Sequence, residues 1–167
     1  MNIFAYDPCP KQSALWLDDI RKNKMILEGC QVLSSTVAML KPEWAHRVYK
    51  ITHQNHPCSV WTRGTAGNFS WLLTHTEALY DQRGRTHASS RLFPVFREFI
   101  SEHSDAFMFE EQTPFANCAR NKDLGIDYTG VSDTHKAYRL YTTARWAVDT
   151  IKLSWNHGEK PNWNLEE

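Results

Sequence analysis

The stretch "RKNKMILEGCQVLSSTVAML", Arg21–Leu40, decides the fold class. Ile26, Cys30, Leu33, Val37 and Leu40 recur at three- and four-residue spacing, which places them along one side of an α-helix. Leu27, Val32, Ala38 and Met39 add apolar groups away from that side. A helix that is apolar on several sides must be covered by neighbours, so this segment reads as the central helix of a helical domain. Its polar residues are ordered too. Lys24, Glu28, Gln31 and Ser35 lie three to four residues apart and form a single stripe. Two readings stand. The stripe is a solvated face with a Lys–Glu pair, or it lines a pocket, since a buried polar stripe needs a partner or a cavity. In a pocket, Lys24 is an amine able to act as nucleophile and Glu28 a general acid or base.

The flanking sequence continues the helical pattern. Residues 1–6 read as extended, and Asp7 with two prolines makes a turn. A helix starts near Lys11, and a short one covers Glu43–Lys50 after Pro42. Another runs over Ala66–Gln82 with Phe69, Leu72, Leu73, Thr76 and Tyr80 on one face. Ser90–His103 is helical in pattern, with Pro94 tolerated in the first turn. A last helix spans Asp133–Trp155, with Ser132 or Asp133 as its cap and an apolar side from Tyr138 through Tyr141, Val148 and Ile151 to Trp155. Between these lies a long irregular loop near residues 104–131, of a length that is often functional. The tail is turn-rich and ends acidic. The expectation is an all-α fold: one compact helical bundle over residues 1–167.

Composition narrows the function. Nineteen Lys and Arg balance nineteen Asp and Glu, so no bulk basic field draws the chain to nucleic acid, and any such binding must be local. Four cysteines, Cys9, Cys30, Cys58 and Cys118, lie far apart with no CxxC pair, as in a reduced cytoplasmic protein. The start "MNIFAYDPCPKQ" has no basic segment followed by an apolar run, so no signal peptide is expected. No run approaches the ~18 apolar residues of a membrane span.

Three short stretches carry candidate site residues. "THQNHPC" (Thr52–Cys58) brings together His53, His56 and Cys58, all metal-ligand types. No second pair completes a zinc spacing, and His75 and His87 are only loose additions, so no metal or other cofactor is assigned. The histidines read as a hydrogen-bonding loop beside a substrate pocket or as a structural turn. In "WTRGTAGNFSWL" (Trp61–Leu72), Arg63 precedes a helix and Asn68 lies in its first turn, an arrangement suited to a phosphate or to ordinary capping by Gly64 or Thr65. "QRGRTH" (Gln82–His87) holds Arg83, Arg85 and His87, which with Arg21, Lys22 and Lys24 would follow a nucleic-acid backbone or mark an inert basic surface. On the last helix His135, Arg139, Thr143 and Trp146 share the side opposite the apolar one and form a candidate second wall of the pocket.

These pieces also occur in a familiar order. "MNIF" is followed by "DIRKNKMILEGCQVLSS", "THQNHPCSVWTRGTAGNFSWL", "TPFANCARNKD", "AYRLYTT" and "KPNW". Over most of its length the chain resembles a family of small proteins encoded by tailed bacteriophages, most specifically in its HPCxxWxRxxxxNxxWL block. Arg21 stands where those relatives tend to carry histidine. More distantly, the layout resembles the phage pyrimidine-dimer DNA glycosylases, compact all-α proteins with an early helix bearing arginine and glutamate and a later His-Pro loop. Arg21 and "NHP" are the points of contact. The resemblance implies an amine nucleophile forming a Schiff base at the sugar with a glutamate assisting. Lys24 and Glu28 supply an amine and a carboxylate on the corresponding helix. Phage proteins of this kind also hypermodify bases.

The leading expectation is a phage nucleic-acid enzyme, DNA glycosylase-like, that excises or modifies a DNA base in the host cytoplasm. Lys24 and Glu28 are its catalytic candidates. Arg21, Gln31, His53, His56, Arg63, Asn68, His87 and Arg139 are its substrate-binding candidates. DNA or a nucleotide is the partner, with no membrane. The rival expectations are a non-enzymatic phage protein that inhibits a host or defence factor, and a nucleotide-binding or nucleotide-processing protein holding a phosphate at Arg63.

Overall fold

The computed structural model describes residues 2–163. Its fold is all-α, with a single two-stranded ribbon among the described residues. Met1 of the extended start and residues 164–167 of the acidic tail lie outside the described residues.

Helix α2 (Asp19–Leu40) is the axis of the molecule. The buried Asp18 caps it, its carboxylate accepting the Arg21 N–H at 3.2 Å. Ile26, Cys30, Leu33 and Val37 are wholly buried, as their spacing requires. Helix α4 (Ala66–Gln82) crosses α2. Gly29 permits the crossing, because a Cβ there would stand 2.4 Å from Thr76 Oγ1. Helix α1 (Pro10–Trp16) packs along α4, and the Trp71 and His75 rings donate to the Pro8 and Pro10 carbonyls at 2.7 and 3.0 Å.

Helix α3 (Pro57–Gly64) occupies much of the stretch expected to be loop. Pro57 holds its first position and His56 Nδ1 accepts the Cys58 N–H at 3.2 Å, so proline and cap begin a helix here. Thr65 caps α4, its side chain accepting the Asn68 N–H at 3.0 Å. Two further N–H groups of that helix end, from Ala66 and Gly67, donate to the Phe109 and Glu110 carbonyls. Gly67 is required there, because a Cβ would meet Gln112 N at 2.6 Å.

The short helix expected after Pro42 is a 3-10 turn, Pro42–Arg47. A second 3-10 turn, Ala88–Leu92, leads into α5 (Phe93–Glu102), with Pro94 in the first turn. Phe69, Phe96, Phe99 and Phe107 interlock between α4 and α5. The irregular loop contains one 3-10 turn, Ser104–Ala106, and the ribbon of β1 (Arg120–Asn121) and β2 (Ile126–Asp127), which pairs Arg120 with Asp127.

Helix α6 (Thr134–Val148) starts at the Asp133 cap and ends short of Trp155. Asp149 turns extended, and the chain bends back so that Ser154 and Asn156 donate to Asp19 at 2.9 and 2.8 Å. Val148 and Ile151 are therefore exposed, while Tyr138 and Tyr141 remain buried. The side carrying His135, Arg139 and Trp146 packs inward: His135 Nδ1 donates to the Ala5 carbonyl at 2.7 Å, Arg139 Nε to that of Tyr6 at 2.8 Å, and the Trp146 indole to Asp18 at 2.9 Å. The amino-terminal segment thus runs between α2 and α6. No helix among the described residues is long and apolar enough to cross a membrane.

Candidate functional site

The amino-terminal half of α2 borders a cavity of about 550 Å³. That is within the ~300–1,000 Å³ range of small-molecule sites. Arg21, Lys24 and Glu28 enter it from α2, Asn2 from the amino-terminal segment, and His56 from the α3 cap. Cys118 and Arg120 come from the irregular loop, and Arg145 and Asp149 from the end of α6. Four basic side chains thus face two carboxylates, Glu28 and Asp149.

Glu28 is the more enclosed acid. Its side chain is 12% exposed and stands 3.5 Å from Lys24 Nζ, whose side chain is 75% exposed at the rim. The Asn2 backbone N–H donates to Glu28 Oε2 at 3.2 Å, which fixes the carboxylate from the other wall. The Asn2 side chain donates to the Cys118 carbonyl at 3.2 Å, so one residue ties both walls to the loop.

Arg21 is clamped. It donates to Asp18 at 2.7 Å and to Asp149 at 2.6 Å. Burial works against its charge, but the hydrogen bonds and charges of the two carboxylates outweigh it and raise its pKa further. Burial lowers the pKa of His56, with His53 adding to the shift and Glu28 opposing it. Behind Cys118, which lines the cavity, the buried Cys58 thiol donates to the Cys118 sulfur at 3.7 Å, a contact that lowers the Cys118 pKa and raises that of Cys58. One ligand atom from each of His56, Cys58 and Cys118 lies within 4.8 Å of the others.

The polar stripe of α2 divides. Lys24 and Glu28 border the cavity. One turn on, Gln31 is half-buried outside the lining, and Ser35 Oγ bridges the Gln31 and Thr52 carbonyls at 2.9 and 3.1 Å. That second half of the stripe staples the loop that delivers His56. His53 is exposed at φ 47°, its Nδ1 bonded to the Thr52 hydroxyl at 2.7 Å. Arg63 donates to the Gln54 carbonyl. Asn68 is wholly buried, donating to the Trp61 carbonyl at 2.7 Å and to Thr113 Oγ1 at 2.8 Å, and accepting the Thr113 N–H at 2.9 Å. His87 caps a 3-10 turn, and Arg139 lies 5.4 Å over the Trp16 ring. Arg85 of the basic loop pairs with Asp81 at 2.9 Å.

Of the residues singled out in the sequence, the structure brings Arg21, Lys24, Glu28 and His56 together. Gln31, His53, Arg63, Asn68, His87 and Arg139 stand outside the lining, most of them bonded to backbone carbonyls, amides or caps. Asn2, Cys118, Arg120 and Arg145 were not singled out. The length of the irregular loop was a signal for Cys118 and Arg120, which also fall in the quoted "TPFANCARNKD", as Asn2 falls in "MNIF". No family model, curated protein or solved structure matches the chain.

Proposed function

We propose that the cavity receives one nucleotide of DNA and that the protein acts on its base or on the bond between base and sugar. The source would be a phage, and the working compartment the host cytoplasm. What supports the reading is the convergence of Lys24, Glu28 and His56, from two separate segments, on one cavity that Arg120 and Arg145 also line. A base in duplex DNA must leave the stack before chemistry, which calls for a pocket of this order. The arginines suit phosphate oxygens, and their local grouping replaces the bulk charge that the chain lacks.

In the excision form of the reaction, the Lys24 nitrogen attacks the sugar C1′. The glycosidic bond breaks, and the base leaves with the bonding electrons and takes up a proton. Glu28, 3.5 Å from the amine, accepts the proton that the nitrogen must lose. In the modification form, the same pair acts on a base substituent.

The test is product analysis by mass spectrometry with oligonucleotides carrying a pyrimidine dimer, an abasic site or a 5-substituted pyrimidine. Release or mass change of one base, lost in Glu28→Gln, supports the reading. Unchanged DNA in every case, from a folded protein, overturns it.

A further inference from the structure

We propose that His56, Cys58 and Cys118 together bind one soft divalent cation, zinc by ligand type, with a fourth position open to the cavity. The proposal does not rest on the role given to Lys24, and its readout needs no DNA.

Ligand geometry comes first. At a tetrahedral zinc with Zn–S bonds of ~2.3 Å, two thiolate sulfurs stand roughly 3.8 Å apart. Cys58 Sγ and Cys118 Sγ are 3.7 Å apart. A ring nitrogen of His56 lies within 4.8 Å of both. Two sulfurs and one imidazole are the donors that a borderline-soft ion selects over the hard, oxygen-seeking cations.

The donors are also held in place. Cys58 is wholly buried at the second position of α3. The backbone of Cys118 is pinned on both sides: its N–H donates to the Tyr138 hydroxyl at 3.2 Å, and its carbonyl accepts from Asn2 at 3.2 Å. The Tyr138 hydroxyl in turn donates to the Ala116 carbonyl at 2.9 Å. Such support fixes a thiolate without help from the ion. One exchange is required. A neutral imidazole has one nitrogen with a free lone pair, and His56 Nδ1 uses it for the Cys58 N–H at 3.2 Å. The ion takes that lone pair, and one long capping bond is a small loss against a metal–thiolate shell.

The fourth position follows from burial. Cys58 is wholly buried outside the lining, whereas His56 and Cys118 both line the cavity. Three protein ligands with one open side is the pattern of a reactive zinc centre, not of a closed structural one. Here the open side faces the cavity that holds Glu28.

The full chain, reduced and kept anaerobic, is loaded with Co²⁺ and then with Zn²⁺. The expected result is one ion per chain after dialysis and a near-ultraviolet thiolate-to-cobalt charge-transfer band that Zn²⁺ abolishes. Thiocyanate should shift the visible cobalt bands by entering the open position. Cys118→Ser and His56→Asn should each weaken binding by at least ~100-fold, more than loss of an outer hydrogen bond costs a metal site. Asn retains a capping oxygen, and far-ultraviolet circular dichroism confirms that each variant is folded. Retention of no ion by the folded, reduced protein overturns the proposal. So does a cobalt spectrum that Cys118→Ser leaves unchanged. A Cys58–Cys118 disulfide before reduction, with no ion uptake after it, would make the pair a redox couple and equally overturn the proposal.

Discussion

The Asn2 backbone N–H donates to Glu28 Oε2 at 3.2 Å, and both residues line the cavity. The bond joins the amino-terminal segment to the central helix at the acid that the proposed chemistry uses. Because the same residue also holds the Cys118 carbonyl, three distant parts of the chain meet there.

Glu28→Gln separates chemistry from architecture. Glutamine keeps the size of the side chain and an oxygen for the Asn2 N–H, but has no charge to accept a proton. Turnover should fall by about 10²–10⁴-fold, the usual contribution of a general acid or base, with the melting temperature nearly unchanged. Single-turnover kinetics and thermal unfolding, run together, check this. Full activity in the variant would remove Glu28 from the mechanism.

Arg21→Ala should instead cost stability. Asp18 is wholly buried, and Arg21 is its charge partner at 2.7 Å. Removing the guanidinium leaves a buried carboxylate with, among the described residues, the helix cap and the Trp146 indole, at a cost of about 3–5 kcal/mol. Urea unfolding measures it. A change below about 1 kcal/mol would mean that Asp18 is better solvated than its burial indicates.

Gly29→Ala tests the helix crossing. A methyl group there meets Thr76 Oγ1 at 2.4 Å, and overpacking of this kind costs about 1–3 kcal/mol. Gly130→Ala is the control, since nothing lies within 4 Å of a Cβ at that position. Equal stability of the two variants would contradict the close approach of α2 and α4.

His75 predicts an acid-sensitive fold. Burial holds its ring at about 4, below the ordinary 6.5. The unfolded chain takes up a proton as pH falls below 6.5, whereas the folded chain does so only near 4. The contribution to stability is therefore complete above pH 6.5 and is lost as pH falls towards 4, by about 3 kcal/mol in all. His75→Gln should flatten that part of the stability–pH curve. An unchanged slope would assign it to other groups.

Arg120→Ala and Arg145→Ala should each lower the salt dependence of DNA binding by about one unit of slope in log K against log salt. Arg63→Ala should leave the slope unchanged, because that side chain is bonded to the Gln54 carbonyl outside the lining. Fluorescence anisotropy across a salt series reads both. Binding with no salt dependence would contradict backbone recognition.

The helical fold was legible because α2 and α4 repeat apolar residues strongly enough to show their faces. α3 was hidden by its brevity: eight residues behind a proline carry too little periodicity to separate a helix from a turn. The end of α6 was hidden because Val148 and Ile151 continue an apolar spacing that the fold leaves exposed. At the site, Lys24 and Glu28 were visible as one turn of one helix. Asn68, His87 and Arg139 share the residue types of ligand-binding groups, but spacing along the chain does not reveal that backbone partners hold them. Cys118 was beyond reach for a related reason. Its partner Cys58 is 60 residues away, and only tertiary structure brings the two sulfurs together.

The most direct test of the central claim is borohydride trapping on DNA with a single abasic or modified site. If Lys24 is the amine that attacks the sugar, the wild-type protein forms a covalent adduct of one chain per DNA strand, and peptide mapping places it at Lys24. Lys24→Ala then yields no adduct while still binding the DNA. An adduct of undiminished yield in Lys24→Ala, or none with the wild-type protein on any substrate, would contradict the attack of Lys24 on the sugar.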